Sequence, residues 1–339
     1  MKLLNVRAGY GKRIIINGAD LEIGRGEIIS FIGPNGGGKS TLLKTISGQI
    51  RPLGGSVFIG EDDIKNIPLK DLAKSLSIVT TKRVRPELMT CFDVVMSGRI
   101  PYTGGFGTFS EEDYLEGNKA AKLMKIDALK DTSFEALSDG QKQRALIARA
   151  ICQKPEYLVM DEPTSYLDIR YRVELMDVIK GLSKEGITII MSLHEIELAL
   201  SVSSRVLLIK SDGEVLLEEP HAVLENGIIK DLYSLTDEMY KKVEGQLRAH
   251  MGYPKDKNVR HSSFFVNREC EYYPCHDLPD DKFSCMFCYC PLYDIKDCGG
   301  EYTYTEKGVK NCKNCTFPHD RNNYGMVIKK LKEKMYGNH

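Results

Sequence analysis

The apolar positions along the chain switch repeatedly between short runs of strand length and helical spacing. Residues 27–32 (E-I-I-S-F-I) form an apolar run that predicts a buried strand, and 39–47 places Leu42, Leu43 and Ile46 on one helical face. Ahead of them, 1–7 and 14–23 predict strands with partly alternating apolar residues, separated by Gly9-Tyr10-Gly11. A strand over 56–59, a helix over 69–74 and a strand over 76–79 follow. The rhythm then changes. Residues 89–98 have helical spacing, 99–108 is broken by Pro101 and a glycine-rich turn, and 111–125 resumes a helical face with Tyr114, Ala121 and Met124. These segments predict a helical insert over residues 85–145. A helix over 140–152 stops before Pro155, and the run 157–160 predicts a buried strand ending at Asp161-Glu162-Pro163. A further helix, a strand over 186–192, a helix over 195–201 and a strand over 205–209 complete an alternating pattern. That pattern predicts an α/β fold with a mainly parallel sheet. Lys210-Ser211-Asp212-Gly213 turns the chain into a last strand over 214–218.

Past Pro220 the alternation ends. Residues 228–250 carry Leu232, Leu235, Met239, Val243 and Leu247 on roughly one helical face, and Gly252-Tyr253-Pro254-Lys255-Asp256 is a polar, turn-rich connector. We therefore expect a first domain over 1–250, a linker over 251–262 and a second domain over 263–339, short of aliphatic residues and rich in Cys, Tyr and Pro. A basic, helix-like tail over 324–335 closes it.

Charge adds an exclusion. Lys+Arg and Asp+Glu both number 47, which gives no electrostatic reason to expect a nucleic-acid partner. The longest uncharged apolar run, 187–193, is far below the roughly 20 residues that span a bilayer, and the N-terminus lacks an apolar signal region. The expectation is a cytoplasmic protein. Of its ten cysteines, Cys91 and Cys152 stand alone and the other eight crowd the last quarter. In a reducing compartment such crowding points to metal rather than disulfides.

The sequence Gly33-Pro34-Asn35-Gly36-Gly37-Gly38-Lys39-Ser40-Thr41 reads G-x-x-x-x-G-K-S-T between a strand and a helix start. Glycines let the backbone curl so that successive N–H groups converge, and the helix start adds partial positive charge, which makes a cradle for polyphosphate. Lys39 then reaches the β- and γ-phosphates and Ser40 the magnesium of bound ATP. Hydrolysis also needs a metal-positioning carboxylate and a group that orients water, and the strand end supplies Asp161 for magnesium and Glu162 as general base.

Leu137-Ser138-Asp139-Gly140-Gln141, which lies between the phosphate loop and Asp161-Glu162, resembles the signature motif of ATP-binding-cassette (ABC) ATPases, usually L-S-G-G-Q. The resemblance covers residues 1–245. It implies a P-loop NTPase fold with an antiparallel edge subdomain and a helical insert, and a head-to-tail homodimer. In that dimer the partner's Ser138, Gly140 and Gln141 close over the ATP held by one phosphate loop. Residue by residue, it implies that Tyr10 stacks on adenine, that Ser165-Tyr166-Leu167-Asp168 is the dimer-contact loop with Asp168 near the partner's phosphate loop, and that His194 contacts the γ-phosphate as a catalytic switch. Where the family has a glutamine touching magnesium and the lytic water, the pattern aligns Thr81, and no glutamine occurs between Gln49 and Gln141. Gly98-Arg99-Ile100-Pro101-Tyr102 resembles the G-R-x-P-(H/Y) segment of ATPases that serve importers of metal chelates: ferric siderophores, haem and cobalamin. This implies separate transmembrane permease subunits, a substrate-binding protein and a place on the inner face of the membrane. The alternative is a soluble ABC ATPase in cofactor or metal handling, and Thr81 speaks for it. A module that binds ATP without hydrolysing it is disfavoured by Glu162.

In the second domain, Cys285-x-x-Cys288 and Cys312-x-x-Cys315 each let two thiolates meet one tetrahedral ion, and Cys270, Cys275, Cys290 and Cys298 can complete two four-thiolate sites, with His276 or His319 as substitutes. A core this poor supplies only about 3–5 kcal/mol, whereas zinc so bound contributes on the order of 10–16 kcal/mol of coupled folding energy. We expect a fold stapled by two zinc ions; an iron–sulfur cluster or disulfides are the alternatives. The runs 267–276 and 285–293 resemble the cysteine-rich small domain family, for which metal binding is presumed.

Overall fold

In the computed structural model the described residues are 1–80, 86, 88–104, 107–250, 278, 282, 284, 290–305, 308–312 and 314–336. The chain divides into two units, Met1–Met251 and Gly252–His339.

The first unit opens with β1 (Lys2–Tyr10) and β2 (Arg13–Glu22), a hairpin that pairs Gly9 with Ile14 and Tyr10 with Arg13. β3 (Ile28–Ile32) is buried at every position, as a strand covered on both faces must be, and runs through the phosphate loop into α1 (Lys39–Ile46). Next come β4 (Gly54–Ile59), β5 (Asp62–Asp63), α2 (Leu69–Ser75) and β6 (Leu76–Val79). The insert follows with α3 (Cys91–Met96), a 3-10 turn over Ser97–Tyr102, and α4 (Glu111–Leu123). Then α5 (Asp139–Cys152), β7 (Tyr157–Asp161), α6 (Ile169–Lys184), β8 (Thr188–Ser192), α7 (Ile196–Val202), β9 (Arg205–Ile209) and β10 (Val215–Glu218) alternate as the periodicity predicts. The unit ends in α8 (Pro220–Glu225), α9 (Ile228–Leu232) and α10 (Asp237–His250).

Two sheets result. The antiparallel one has the order β2-β1-β4-β5, and the six-stranded one the order β10-β9-β3-β8-β7-β6, parallel except for the β10 edge. α1 packs on strands of both sheets, and one apolar cluster that includes Phe31, Ile29, Leu42, Leu43, Ile46, Val57 and Ile190 joins them. Because β3, β7 and β8 are parallel neighbours, their carboxyl ends lie side by side, which is where an open α/β sheet places its ligand.

The chain departs from the expected elements in that β1 runs on through Gly9 and Tyr10, expected as the break between two strands, and α8 forms where no element is expected; two helices also differ. The single face over 228–250 is two helices, because the chain turns between them with Ser234 at φ 51°. The helix expected over 89–98 begins only after Thr90, whose hydroxyl and the Asp93 carboxylate close a capping box, and it tightens to 3-10 geometry at Ser97.

The segment 98–102 is a clasp. The Arg99 guanidinium donates to Asp113 of α4 at 2.7 Å and to the Cys152 carbonyl at 3.1 Å, and it stacks 3.9 Å from the Tyr102 ring. The Tyr102 hydroxyl donates to the Gln153 carbonyl at 2.9 Å. Arg99 and Asp113 are both buried, and Asp113 also accepts the Ser110 N–H that begins α4. The turn, the start of α4 and the end of α5 are thereby tied together.

The described part of the second unit contains a short hairpin, β11 (Thr303–Tyr304) with β12 (Lys310–Asn311), and the C-terminal helix α11 (Tyr324–Tyr336). Its apolar cluster centres on Leu292, Cys298 and Val327.

Asp113→Ala leaves the Arg99 charge buried without its anion and should destabilise the first unit by about 3–5 kcal/mol. Burial alone would raise the Asp113 carboxyl, but the Ser110 N–H, the Arg99 guanidinium and the Ser110 hydroxyl outweigh it and hold the carboxyl below its ordinary value. That contribution is complete above the unfolded carboxyl pKa of about 3.9 and is lost as pH falls through the lower folded value. Urea titrations should show a wide gap between wild type and Asp113→Ala at pH 7 that narrows below about pH 4; a constant gap would show that packing, not charge, holds the clasp.

Candidate functional site

The phosphate loop is built as its sequence predicts. Gly38 stands at φ 109°, and a Cβ there would lie 2.7 Å from Ile15 and 2.8 Å from Ile16, so the last loop residue before α1 must be glycine. Pro34, Asn35, Gly36 and Gly37 form the turn, closed by the Gly37 N–H on the Pro34 carbonyl at 3.1 Å. Thr41 is buried in the first turn of α1. The Lys39 ammonium donates to the Gly33 carbonyl at 2.7 Å and the Pro34 carbonyl at 3.1 Å. Burial holds its pKa below the ordinary lysine value, and Glu162 and Asp161 partly restore it. A cation kept at the loop by two carbonyls is ready to exchange them for phosphate oxygens.

Asp161 ends β7. Its Oδ1 accepts the Ser40 hydroxyl at 3.1 Å and the Ser192 hydroxyl at 2.6 Å. Ser192, at the end of β8, also receives the Glu162 N–H at 2.9 Å. Glu162 has φ 48°, a left-handed value rare for a residue with a side chain. Its Oε1 lies 2.6 Å from Nε2 of His194, and the Ser165 hydroxyl donates to its other oxygen at 3.3 Å. Lys39, Ser40, Asp161, Glu162 and His194 thus form one constellation. Ser40 and Asp161 offer hard oxygen donors side by side, a set that suits magnesium.

The signature residues form a second group. Ser138 is the N-cap of α5: its hydroxyl accepts the Gln141 N–H at 3.3 Å, and Gln141 Oε1 accepts the Ser138 N–H at 2.9 Å. Gly140 lies under the 165–168 loop, where a Cβ would meet the Tyr166 carbonyl at 3.0 Å. Asp168 caps α6 by accepting the Tyr171 N–H at 3.0 Å, and Arg172 straps the loop through the Leu167 carbonyl and Glu195. Tyr10 is half exposed at the end of β1. Thr81 lies outside the described residues, and the preceding Thr80 lines a crevice with Ser40, Gln49 and Asp161.

Sequence reasoning passed over Ser192 and Tyr233. Ser192 looked like the plain end of an apolar strand, and only the parallel register of β7 and β8 sets it opposite Asp161. The Tyr233 hydroxyl faces the Gly33 N–H from beyond α9, a long-range contact with no local signal.

In the second unit, Cys270, Cys275, Cys285, Cys288 and His276 lie outside the described residues. Cys290, Cys298, Cys312 and Cys315 form no disulfide, and His319 is buried. Burial, and then the nearness of Cys312, Cys315 and Cys298, pushes the Cys290 thiol up. The Lys310 ammonium bonds to the Tyr293 and Ile295 carbonyls and lies 3.5 Å from the Cys298 sulfur. Among the described residues no three of His, Cys, Asp and Glu stand in a metal-holding arrangement. The donor chemistry suits zinc, but the described geometry does not assemble a site.

Comparison with known proteins agrees with the geometry. The ABC transporter family profile matches residues 16–165, and the cysteine-rich small domain profile matches residues 261–338. An uncharacterised ABC transporter ATP-binding protein of Methanocaldococcus jannaschii is 40% identical over 260 residues, covering 76% of this chain and 90% of the relative. The petrobactin import ATP-binding protein of Bacillus subtilis is 35% identical over 237 residues, covering 70% and 93%. Among solved structures, a dimeric ATP-binding cassette in a post-hydrolysis state with ADP and Pi aligns with TM-score 0.57 and 28% identity, covering 65% of this chain and 98% of that one. On these grounds, and on the site they match, the chain belongs to the family of ABC transporter ATP-binding proteins, the ABC ATPases.

Proposed function

We propose that the chain is the ATP-hydrolysing subunit of an importer of metal chelates, of the ferric siderophore, haem or cobalamin type. It works as a head-to-tail homodimer beneath separate permease chains, supplied by a substrate-binding protein. The observation that carries the hydrolytic part is the Glu162–His194 pair, set 2.6 Å apart beside the Lys39, Ser40 and Asp161 cluster. The chelate part rests on similarity to the petrobactin import protein and to an iron(3+)-hydroxamate import ATP-binding protein, 34% identical over 232 residues. Among the described residues no helix is long and apolar enough to cross a membrane, so a peripheral position on the inner face fits this reading.

The chemistry follows from the residues. The loop N–H groups and Lys39 bind the triphosphate, with Tyr10 against the adenine. Ser40 and Asp161 would hold magnesium, as would Thr81 if it takes the place of the family glutamine, and the ion would supply charge neutralisation on the β- and γ-phosphates. Glu162 takes a proton from the water that attacks the γ-phosphorus; the bond from that phosphorus to the β–γ bridging oxygen breaks, releasing ADP and phosphate. His194 orients Glu162 and contacts the γ-phosphate. Ser138, Gly140 and Gln141 of the other protomer complete the site, with Asp168 at the dimer seam. Glu162→Gln should bind ATP, lose about a hundred- to ten-thousand-fold in turnover and accumulate as a dimer with ATP and magnesium. A monomer by light scattering at saturating ATP would sink the composite site.

A second reading, a soluble ABC ATPase that handles a metal or cofactor, is favoured by Thr81, whose short hydroxyl lacks the amide of the family glutamine. Under the importer reading Thr81 weakens coupling, so Thr81→Gln should raise permease-stimulated ATPase activity severalfold. Unchanged rates with and without permease would show the departure to be neutral.

The second unit we read as a zinc-stapled module, on the strength of eight thiols in two C-x-x-C pairs and four further positions. The full chain, purified without oxygen, should be colourless and contain about two zinc ions, one for each four thiolates. Brown, iron-containing protein would point to the cluster alternative, and a metal-free chain whose melting is unmoved by chelator and reductant would remove the staple.

A further inference from the structure

His194 reaches Glu162 with a side chain that packing does not hold: it is 46% exposed, and it sits in the short passage between β8 and α7. On one side of it Leu193 is buried, and its N–H bonds to the Phe31 carbonyl at 3.2 Å. On the other side Glu195 is held by its carboxylate, of which one oxygen accepts from the Arg172 guanidinium at 3.1 Å and the other from the Thr164 hydroxyl at 3.3 Å. Arg172 also donates through Nε to the Leu167 carbonyl at 2.9 Å. One planar fork thus grips two oxygens, the first in the 165–168 loop and the second beside His194. The first turn of α6 that carries it is itself braced, since Tyr171 stacks 3.9 Å from the Arg144 guanidinium of α5 and gives its N–H to Asp168. From the same loop the Ser165 hydroxyl donates to Glu162.

We propose that Arg172 is a positioning residue for hydrolysis: through Glu195 it sets where His194 stands, and so keeps the imidazole on Glu162. This rests on the roles proposed above for Glu162 and His194. The contacts close a ring that runs from Glu162 to His194, along the chain to Glu195, through Arg172 to Leu167, and back through the loop to Ser165 and Glu162. Without the guanidinium, the Thr164 hydroxyl is the one grip left on the Glu195 carboxylate among the described residues, and the passage that carries His194 is fixed firmly only at Leu193. A misplacement of about 1 Å near the reacting atoms costs up to about a hundredfold in rate. The competing explanation is local: the pair merely steadies α6. The Arg172 and Glu195 side chains are 43% and 36% exposed, however, and an ion pair so exposed adds little to stability.

The test measures kcat and KM for ATP turnover by the full chain with saturating magnesium, in the wild type, Arg172→Ala, His194→Ala and the double variant. Arg172→Ala should lower kcat about ten- to a hundredfold, with KM for ATP and the melting temperature close to wild type, and Glu195→Ala should do the same from the other side of the pair. Because Arg172 acts through His194, the double variant should be no slower than His194→Ala alone. Arg172→Lys, whose single ammonium lacks the planar fork, should recover only part of the rate. An unchanged kcat in Arg172→Ala, or losses that multiply in the double variant, would overturn the positioning role and leave the hydrolytic site standing. Full turnover in His194→Ala would instead remove the role given to the histidine, and the positioning role goes with it.

Discussion

One carboxylate oxygen organises the catalytic edge of the first unit. Oδ1 of Asp161 accepts the hydroxyls of Ser40 and Ser192 together, and so ties the start of α1 to the ends of β7 and β8. Ser192 in turn receives the Glu162 N–H, which helps hold the chain in the left-handed turn after Asp161. A left-handed residue with a side chain costs about 1–3 kcal/mol and persists only where its surroundings over-determine it. Here they do, and the outcome is a Glu162 carboxylate turned onto His194 rather than along the strand. Parallel pairing is the precondition, because only strands that end at the same edge can bring these three termini within hydrogen-bonding distance.

The same constraint explains what sequence could and could not disclose. The apolar runs of β3 and β7, the glycines of the phosphate loop and the helical face of α1 are local signals, and each element formed where its period predicts. That Lys39, Ser40, Asp161 and Glu162 come together can be anticipated from sequence, because the chemistry of phosphate and metal asks for those residue types at strand ends and loop turns. Ser192 and Tyr233 were not, because their partners are fixed by sheet register and by the docking of a distant helix. The break at Ser234 was missed for a related reason: Leu235 continues the apolar spacing of 228–250 through a turn that the periodicity does not register.

The segment 98–102 shows how a family resemblance acquires a physical basis. As a string it suggests only a subgroup of transporters. In the structure Arg99 is a buried cation shared between Asp113 and a helix-terminal carbonyl, with Tyr102 stacked on it. Arg149 and Gln153 extend the attachment to the Ile78 and Leu76 carbonyls of β6. The end of α5 is thus fastened both to the insert and to the strand that leads to Thr80.

The start of the same helix bears on how ATP would close two protomers in the proposed dimer. Ser138 and Gln141 already satisfy each other through the capping box, so in the sandwich proposed above a γ-phosphate from another protomer would exchange hydrogen bonds rather than add them. Exchange of this kind is worth only about 0.5–1.5 kcal/mol per bond, or about 1.5–3 kcal/mol where one partner is charged. A closed dimer held by a few such exchanges would lose its main anionic contact when the γ-phosphate leaves. A signature helix that began with unsatisfied donors would bind the phosphate more tightly and release it more slowly. On that proposal the capping box would favour turnover over tight closure, and it would do so with the two side chains that mark the motif.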